Sequence, residues 1–204
     1  LGFWQLDRAK EKYILFEKFK DDSSYVQIKD KEIIKDFDKI EISGKYISNR
    51  EILIRNFNSL GSPGYYVISP FITQINQIYL VNRGWISKSK NLSSIGIEEN
   101  LKTIRGYIGN LPRVAIKNEN SFEKNSNWPK IAQYPSLKEI QQQLNLTLQP
   151  KIILLEDKMQ DGFLRSWEPK TSKPKTHYIY AFQWFLMAFI VLIITSLKIK
   201  KYLK

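Results

Sequence analysis

A chain of 204 residues with no cysteine and a single histidine, His177, excludes a disulfide scaffold, a thiolate metal site, a cysteine nucleophile and any two-histidine zinc centre. Hydrophobic residues make up 43% of it, enough for one core, and the length allows one ordinary domain, with or without membrane segments. The net charge of +12 would suit nucleic acid, an anionic membrane or an acidic partner, but the basic residues are spread along the chain rather than gathered on one element, so no nucleic-acid surface is expected.

The opening "LGFWQLDRAKEK" is apolar and aromatic before it turns charged, as the end of a longer apolar segment would be. Over residues 5–20, Leu6, Tyr13, Phe16 and Phe19 recur with a helical period, so residues 1–20 read as the end of a membrane helix and its extension. "DKIEISGKYI" then alternates Ile40, Ile42, Gly44 and Tyr46 on one face of a strand, and "EILIRNF" alternates Ile52 and Ile54. The denser run "GYYVISPFI" reads as a central strand stopping near Pro70, and "IYLVNRGWI" follows after Asn76-Gln77, which makes residues 64–86 a hairpin. "TIRGYIG" and "KIILLE" are the remaining strands, separated by a polar surface loop over Lys117–Lys130 and by the short helix of "SLKEIQQQLNL". Ser136 followed three residues later by Glu139 predicts a capping box for that helix. No internal repeat is present.

Residues 171–177 read as a linker into a charge-free run of 20 residues, Tyr178 to Leu197. As a helix this run extends about 30 Å, the thickness of a bilayer's hydrocarbon core. Tyr178, Tyr180 and Trp184 stand at its start, where amphipathic rings favour the interface, and Lys198, Lys200, Lys201 and Lys204 follow it as a basic tail of the cytoplasmic or matrix kind. The expected fold is therefore an α+β membrane protein. Residues 21–170 would form an antiparallel, β-rich extracytoplasmic domain, open or closed into a small barrel, attached to the bilayer through the C-terminal span and through an N-terminal helix of which only the end is present.

Chemistry is sparse. "GSPG" and "GYIGNLP" fit no phosphate-binding spacing, and a Ser-His-Asp triad through His177 lacks a nucleophile elbow. Glu156-Asp157 at a strand end reads as a solvated turn rather than an acid-base pair, so no enzyme is expected. In "LVNRGWI", Arg83 and Trp85 admit two readings: a buried arginine that ties a loop, or anchors facing a partner. His177 also admits two: a polar cap at the membrane interface, or a metal ligand through a neutral ring nitrogen of the kind that binds haem iron. On a helix His177, Ala181, Trp184 and Ala188 share one face, where the alanines would let a flat macrocycle lie.

Three stretches in order, "LGFWQLDRAKEK", "GYYVISPF" with "LVNRGWI", and "HYIYAFQWF", resemble the motifs of the surfeit locus family of the Shy type, assembly factors for cytochrome c oxidase. Trp4, Gln5 and Arg8 match the opening motif, and Tyr66, Pro70, Asn82, Arg83 and Gly84 match the central one. His177 matches the histidine before the second membrane helix, the proposed haem contact in some bacterial relatives. Gln183 departs from the threonine common before the Trp-Phe pair, and Lys175-Thr176 from an asparagine before the histidine. The resemblance implies a role in helping haem a reach or stay in oxidase subunit I, with His177 and Trp184 as the residues nearest the haem and a haem a synthase as a further partner. It implies a bacterial inner membrane with the domain in the periplasm, the mitochondrial inner membrane and intermembrane space being the alternative. A haem-independent scaffold for oxidase subunits is the competing role.

Overall fold

The computed structural model describes residues 1–20, 25–27, 35–58, 60–111, 121–124, 127–167 and 172–203. The chain divides into two compact units, Asp22–Trp167 and the combination of Leu1–Asp21 with Glu168–Lys204.

The first unit is built on eight strands: β1 (Val26–Gln27), β2 (Lys39–Tyr46), β3 (Ile52–Phe57), β4 (Pro63–Thr73), β5 (Ile78–Ser87), β6 (Lys102–Gly109), β7 (Lys130–Ala132) and β8 (Ile152–Leu155). The alternation read in the sequence is the burial pattern of β2, whose Ile40, Ile42, Gly44 and Tyr46 are buried while Glu41, Ser43 and Lys45 are not. Five strands close into a ring: β2 pairs with β6, β6 with β8, β8 with β5, β5 with β4, and β4 returns to β2. Ring closure gives each of these five strands a partner on both sides, and β1 and β7 stand at the ends of the sheet outside the ring. Each ring strand sends residues into one interior cluster, among them Ile40, Phe71, Val81, Ile108 and Ile153. Neighbouring residues of opposite parity, Leu80 and Ile152, pack outward against Ile140 and Leu144 of the helix α2 (Leu137–Leu144). That helix starts with the capping box expected of it: the Ser136 hydroxyl accepts from Glu139 N–H, and the Glu139 carboxylate accepts from Ser136 N–H at 2.8 Å.

The strand pattern predicts an antiparallel sheet, but the sheet is mixed. Three pairs run parallel, β1 with β2, β3 with β7 and β5 with β8. Parallel partners need a long connection rather than a tight turn, and the chain between β5 and β8, which holds β6, β7 and α2, supplies it. β4 also continues past Pro70 to Thr73. Pro70 carbonyl accepts from Ile47 N–H at 2.9 Å, so its imide nitrogen faces that same edge, where β4 passes from β3 to β2 and no strand requires an N–H. The loop expected over 117–130 ends in β7, too short to show a period; residues 117–120 and 125–126 of that loop lie outside the described residues. Glu156 is not a solvated turn residue. It is 3% exposed and accepts a hydrogen bond from Tyr25 Oη at 2.9 Å, while Asp157 is exposed.

The second unit is a helix pair, α1 (Gly2–Lys20) and α3 (Pro174–Tyr202). α3 opens at Pro174, whose fixed φ and missing N–H suit a first helical position, so His177 lies inside the helix and not in a linker. Among the described residues α3 alone has the length and apolar composition to cross a membrane.

Candidate functional site

The motif at the start of the chain and the one near its end meet in the helical unit. Gln5 Oε1 lies 2.7 Å from His177 Nδ1, across 172 residues of sequence. With Gly2 set against the Phe185 ring and Gln5 against His177, the two helices run antiparallel. The positions they bury are small: among the described residues of this unit, only Gly2, Ala9 and Ala181 are buried. A Cβ at Gly2 would stand 2.8 Å from the Phe185 ring, and Phe3 meets that ring edge-on at 5.1 Å. Small residues at such a seam let helix backbones approach closely.

With Gln5 Oε1 as acceptor, His177 carries its proton on Nδ1. Nε2 is then the lone-pair nitrogen, and it is buried without a protein partner. The helical stripe read from spacing divides here. Ala181 is buried at 2% exposure and offers no open surface to a macrocycle, whereas Trp184 and Ala188 are exposed. Trp4 is also exposed, and Arg8 pairs with Glu11 at 2.6 Å on the surface of α1, an ion pair worth at most about 1 kcal/mol. The sequence marked Gln5 as a motif residue but not as the partner of His177; its amide within an otherwise apolar opening was the available signal.

The central motif is a β-bulge. Asn82 pairs with Ile68 and Trp85 with Tyr66, so Arg83 and Gly84 together face the single Val67. Gly84 has φ +111°, and a Cβ there would lie 2.8 Å from Leu164 carbonyl, so the position admits only glycine. Asn82 Oδ1 accepts from Gly84 N–H at 3.0 Å, and Trp85 N–H donates to Leu164 carbonyl at 2.8 Å. Arg83 is 4% exposed, so it does not protrude toward a partner. Its Nε donates to Asp161 carbonyl and its Nη1 to Ile95 carbonyl, both at 2.8 Å, with Ser69 Oγ at 3.3 Å. It ties two loops to the bulge. Trp85 is half-buried with Nε1 3.4 Å from Asn56 carbonyl, and the half-buried Tyr66 ring lies 5.8 Å from Trp167.

Glu51, missed in the sequence, is 3% exposed with an unpartnered Oε1. Burial raises its carboxyl above the usual range, against the opposing pull of backbone N–H groups and Arg83. A carboxyl raised in the folded state contributes stability fully below its unfolded pKa, about 4.3, and loses it as pH rises through the folded value. Glu51→Gln is therefore expected to melt at a higher temperature than the wild type at pH 7.5 and at the same temperature near pH 4. Equal melting temperatures at both pH values would contradict the shift.

The two units thus define a class of chain: a closed β-barrel domain joined to a helix pair that pins one histidine by its Nδ1. The sequence model of the SURF1 family matches residues 1–189, and the chain belongs to that family. A SURF1-like protein of Rickettsia conorii (strain ATCC VR-613 / Malish 7) is 30% identical over 163 residues, which cover 78% of this chain and 66% of the relative. A SURF1-like protein of Rickettsia prowazekii (strain Madrid E) is 27% identical over 203 residues, 95% of this chain and 82% of the relative. The cytochrome oxidase assembly protein SHY1 of Saccharomyces cerevisiae is 28% identical over 120 residues, 51% of this chain and 31% of the relative. No solved structure matches the chain significantly.

Proposed function

We propose that this chain is a membrane-anchored factor in cytochrome oxidase assembly that acts by binding rather than catalysis, holding haem a as cargo for oxidase subunit I with His177 as the contact to iron. The name of the yeast relative supports the assembly role. The observation that carries the haem contact is the Gln5–His177 pair. Metal-bound imidazoles almost always donate their second ring N–H to a neighbour, which fixes the tautomer and leaves the other nitrogen free to coordinate. Gln5 does this for Nδ1. Nε2 is left buried without a partner, an arrangement that costs about 1–3 kcal/mol and that coordination would relieve.

In this reading the cargo supplies the iron, and the chain supplies the ligand nitrogen, its orientation through Gln5, and the exposed indole of Trp184 as an apolar surface on the same helix. Lys198, Lys200 and Lys201, directly after the apolar run, support an orientation with the C-terminus of α3 on the cytoplasmic side and the barrel unit in the periplasm of a bacterium or, alternatively, on the matrix side with the barrel unit in the mitochondrial intermembrane space. Haem a synthase is the natural donor.

The competing scaffold role draws on the burial of Nε2, which as it stands is closed to a macrocycle. Pull-down of subunit I separates the two in a strain unable to make haem a. Retained binding with His177→Ala oxidase haem content unchanged favours the scaffold; haem a co-purifying with the wild-type chain and lost in His177→Ala favours the cargo role.

A further inference from the structure

A cavity of about 300 Å³ lies in the barrel unit, and Arg83, Lys102, Asp161 and Phe163 line it. It is small for a cofactor but sufficient for a compact ligand group. Arg83 has five N–H donors in a fixed fork, and Asp161 carbonyl, Ile95 carbonyl and Ser69 Oγ account for three of them. No protein acceptor among the described residues takes the pair on Nη2. A buried arginine ordinarily has a carboxylate in contact; here none touches it. Lys102 places its ammonium 2.9 and 3.1 Å from the two oxygens of Asp161, which neutralises that carboxylate and leaves one ammonium donor over.

The surroundings have the same surplus. Phe163 carries Arg83 at 5.0 Å and Lys90 at 4.8 Å from its ring centroid. Tyr46, 1% exposed, stands under both Arg83 and Lys102, and its hydroxyl has no protein partner. The guanidinium of Arg165 lies over Gly162, another lining residue, with Nε and Nη1 buried and unpartnered. Of the two carboxylates at the cavity, Asp161 is taken by Lys102, and Glu98 sits exposed at the rim, hydrogen-bonded to Asn100. Cations and donors therefore exceed the free acceptors among the residues lining this open pocket. Such a site favours a ligand that is anionic and rich in acceptor oxygens, because the arginine fork matches paired oxygens.

We propose that this cavity binds a small oxyanion, the carboxylate or phosphate group of a ligand, through the two Nη2 donors of Arg83 and the remaining ammonium donor of Lys102. The barrel unit would then be a second binding site of the chain, independent of His177.

Thermal unfolding of the detergent-solubilised full chain, at constant ionic strength, tests this with inorganic phosphate in one arm, acetate in another and chloride as reference. A ligand that binds only the folded state raises the melting temperature saturably. The expected result is a saturable rise with phosphate, acetate or both; the arm that responds names the group. Lys102→Gln, which keeps a donor for Asp161, should weaken the apparent affinity about tenfold, and Arg83→Lys, which keeps charge but loses the fork, at least as much. If Arg83→Lys fails to fold, Lys102→Gln decides alone. No saturable rise over chloride in either arm, or a rise left unchanged by Lys102→Gln, overturns the proposal.

Discussion

Replacing Arg83 with alanine is expected to destabilise the barrel unit by about 3–5 kcal/mol, a large share of the stability of an ordinary domain. The side chain is 4% exposed, and its removal strands Asp161 and Ile95 carbonyls and Ser69 Oγ in the interior. It also removes the cation set against Tyr46 and Phe163 and leaves a void that a packed core closes only in part. One effect opposes the loss: burial lowers the pKa of Arg83, so the charged form is costly to hold there. Arg83→Met, which keeps volume and discards that charge, should accordingly lose less than Arg83→Ala. Urea unfolding of the purified chain measures both. A loss below about 1 kcal/mol for Arg83→Ala would mean that the loops it ties are held by other contacts.

Gly44→Ala is the second large effect, at about 3 kcal/mol. Gly44 sits where β2 meets β4 to close the ring, opposite Thr73. A Cβ there would lie 2.1 Å from Ile72 carbonyl and 2.7 Å from the Phe71 ring. The first of these is backbone in a paired strand and cannot rotate away, so the strands must part and ring closure is lost with them. Gly96 provides the control. A Cβ there meets nothing within 4 Å, and Gly96→Ala should stay within about 0.5 kcal/mol of the wild type. Similar losses for Gly44→Ala and Gly96→Ala would contradict the account of closure.

Much of the barrel was legible because its signals are local. Alternation in β2, the hairpin around Asn76 and the capping box at Ser136 each rest on residues a few positions apart, and each forms as read. What escaped depends on partners distant in the chain. Nothing near Pro70 shows that its imide edge would face a handover between two strands, and nothing near "KIILLE" shows that it would enter the ring parallel to β5. Arg83 was readable as a buried tie or an interface anchor, and only the carbonyls of residues 95 and 161 decide for the tie. The same holds at the candidate site. Helical spacing put Ala181 on the face of His177, but it was blind to α1, against which that face closes at Ala181. The family resemblance named Gln5 and His177 separately; their contact is what gives the histidine a defined tautomer.

Haem absorbance of the detergent-solubilised chain, co-expressed with haem a synthesis, tests the central claim most directly. The wild type is expected to carry haem a, with a loss of at least tenfold in His177→Ala and a smaller but clear loss in Gln5→Leu, since partners of a metal-bound histidine typically contribute about 10–100-fold to affinity. A His177→Ala chain that carries as much haem a as the wild type, with the same spectrum, would contradict the claim.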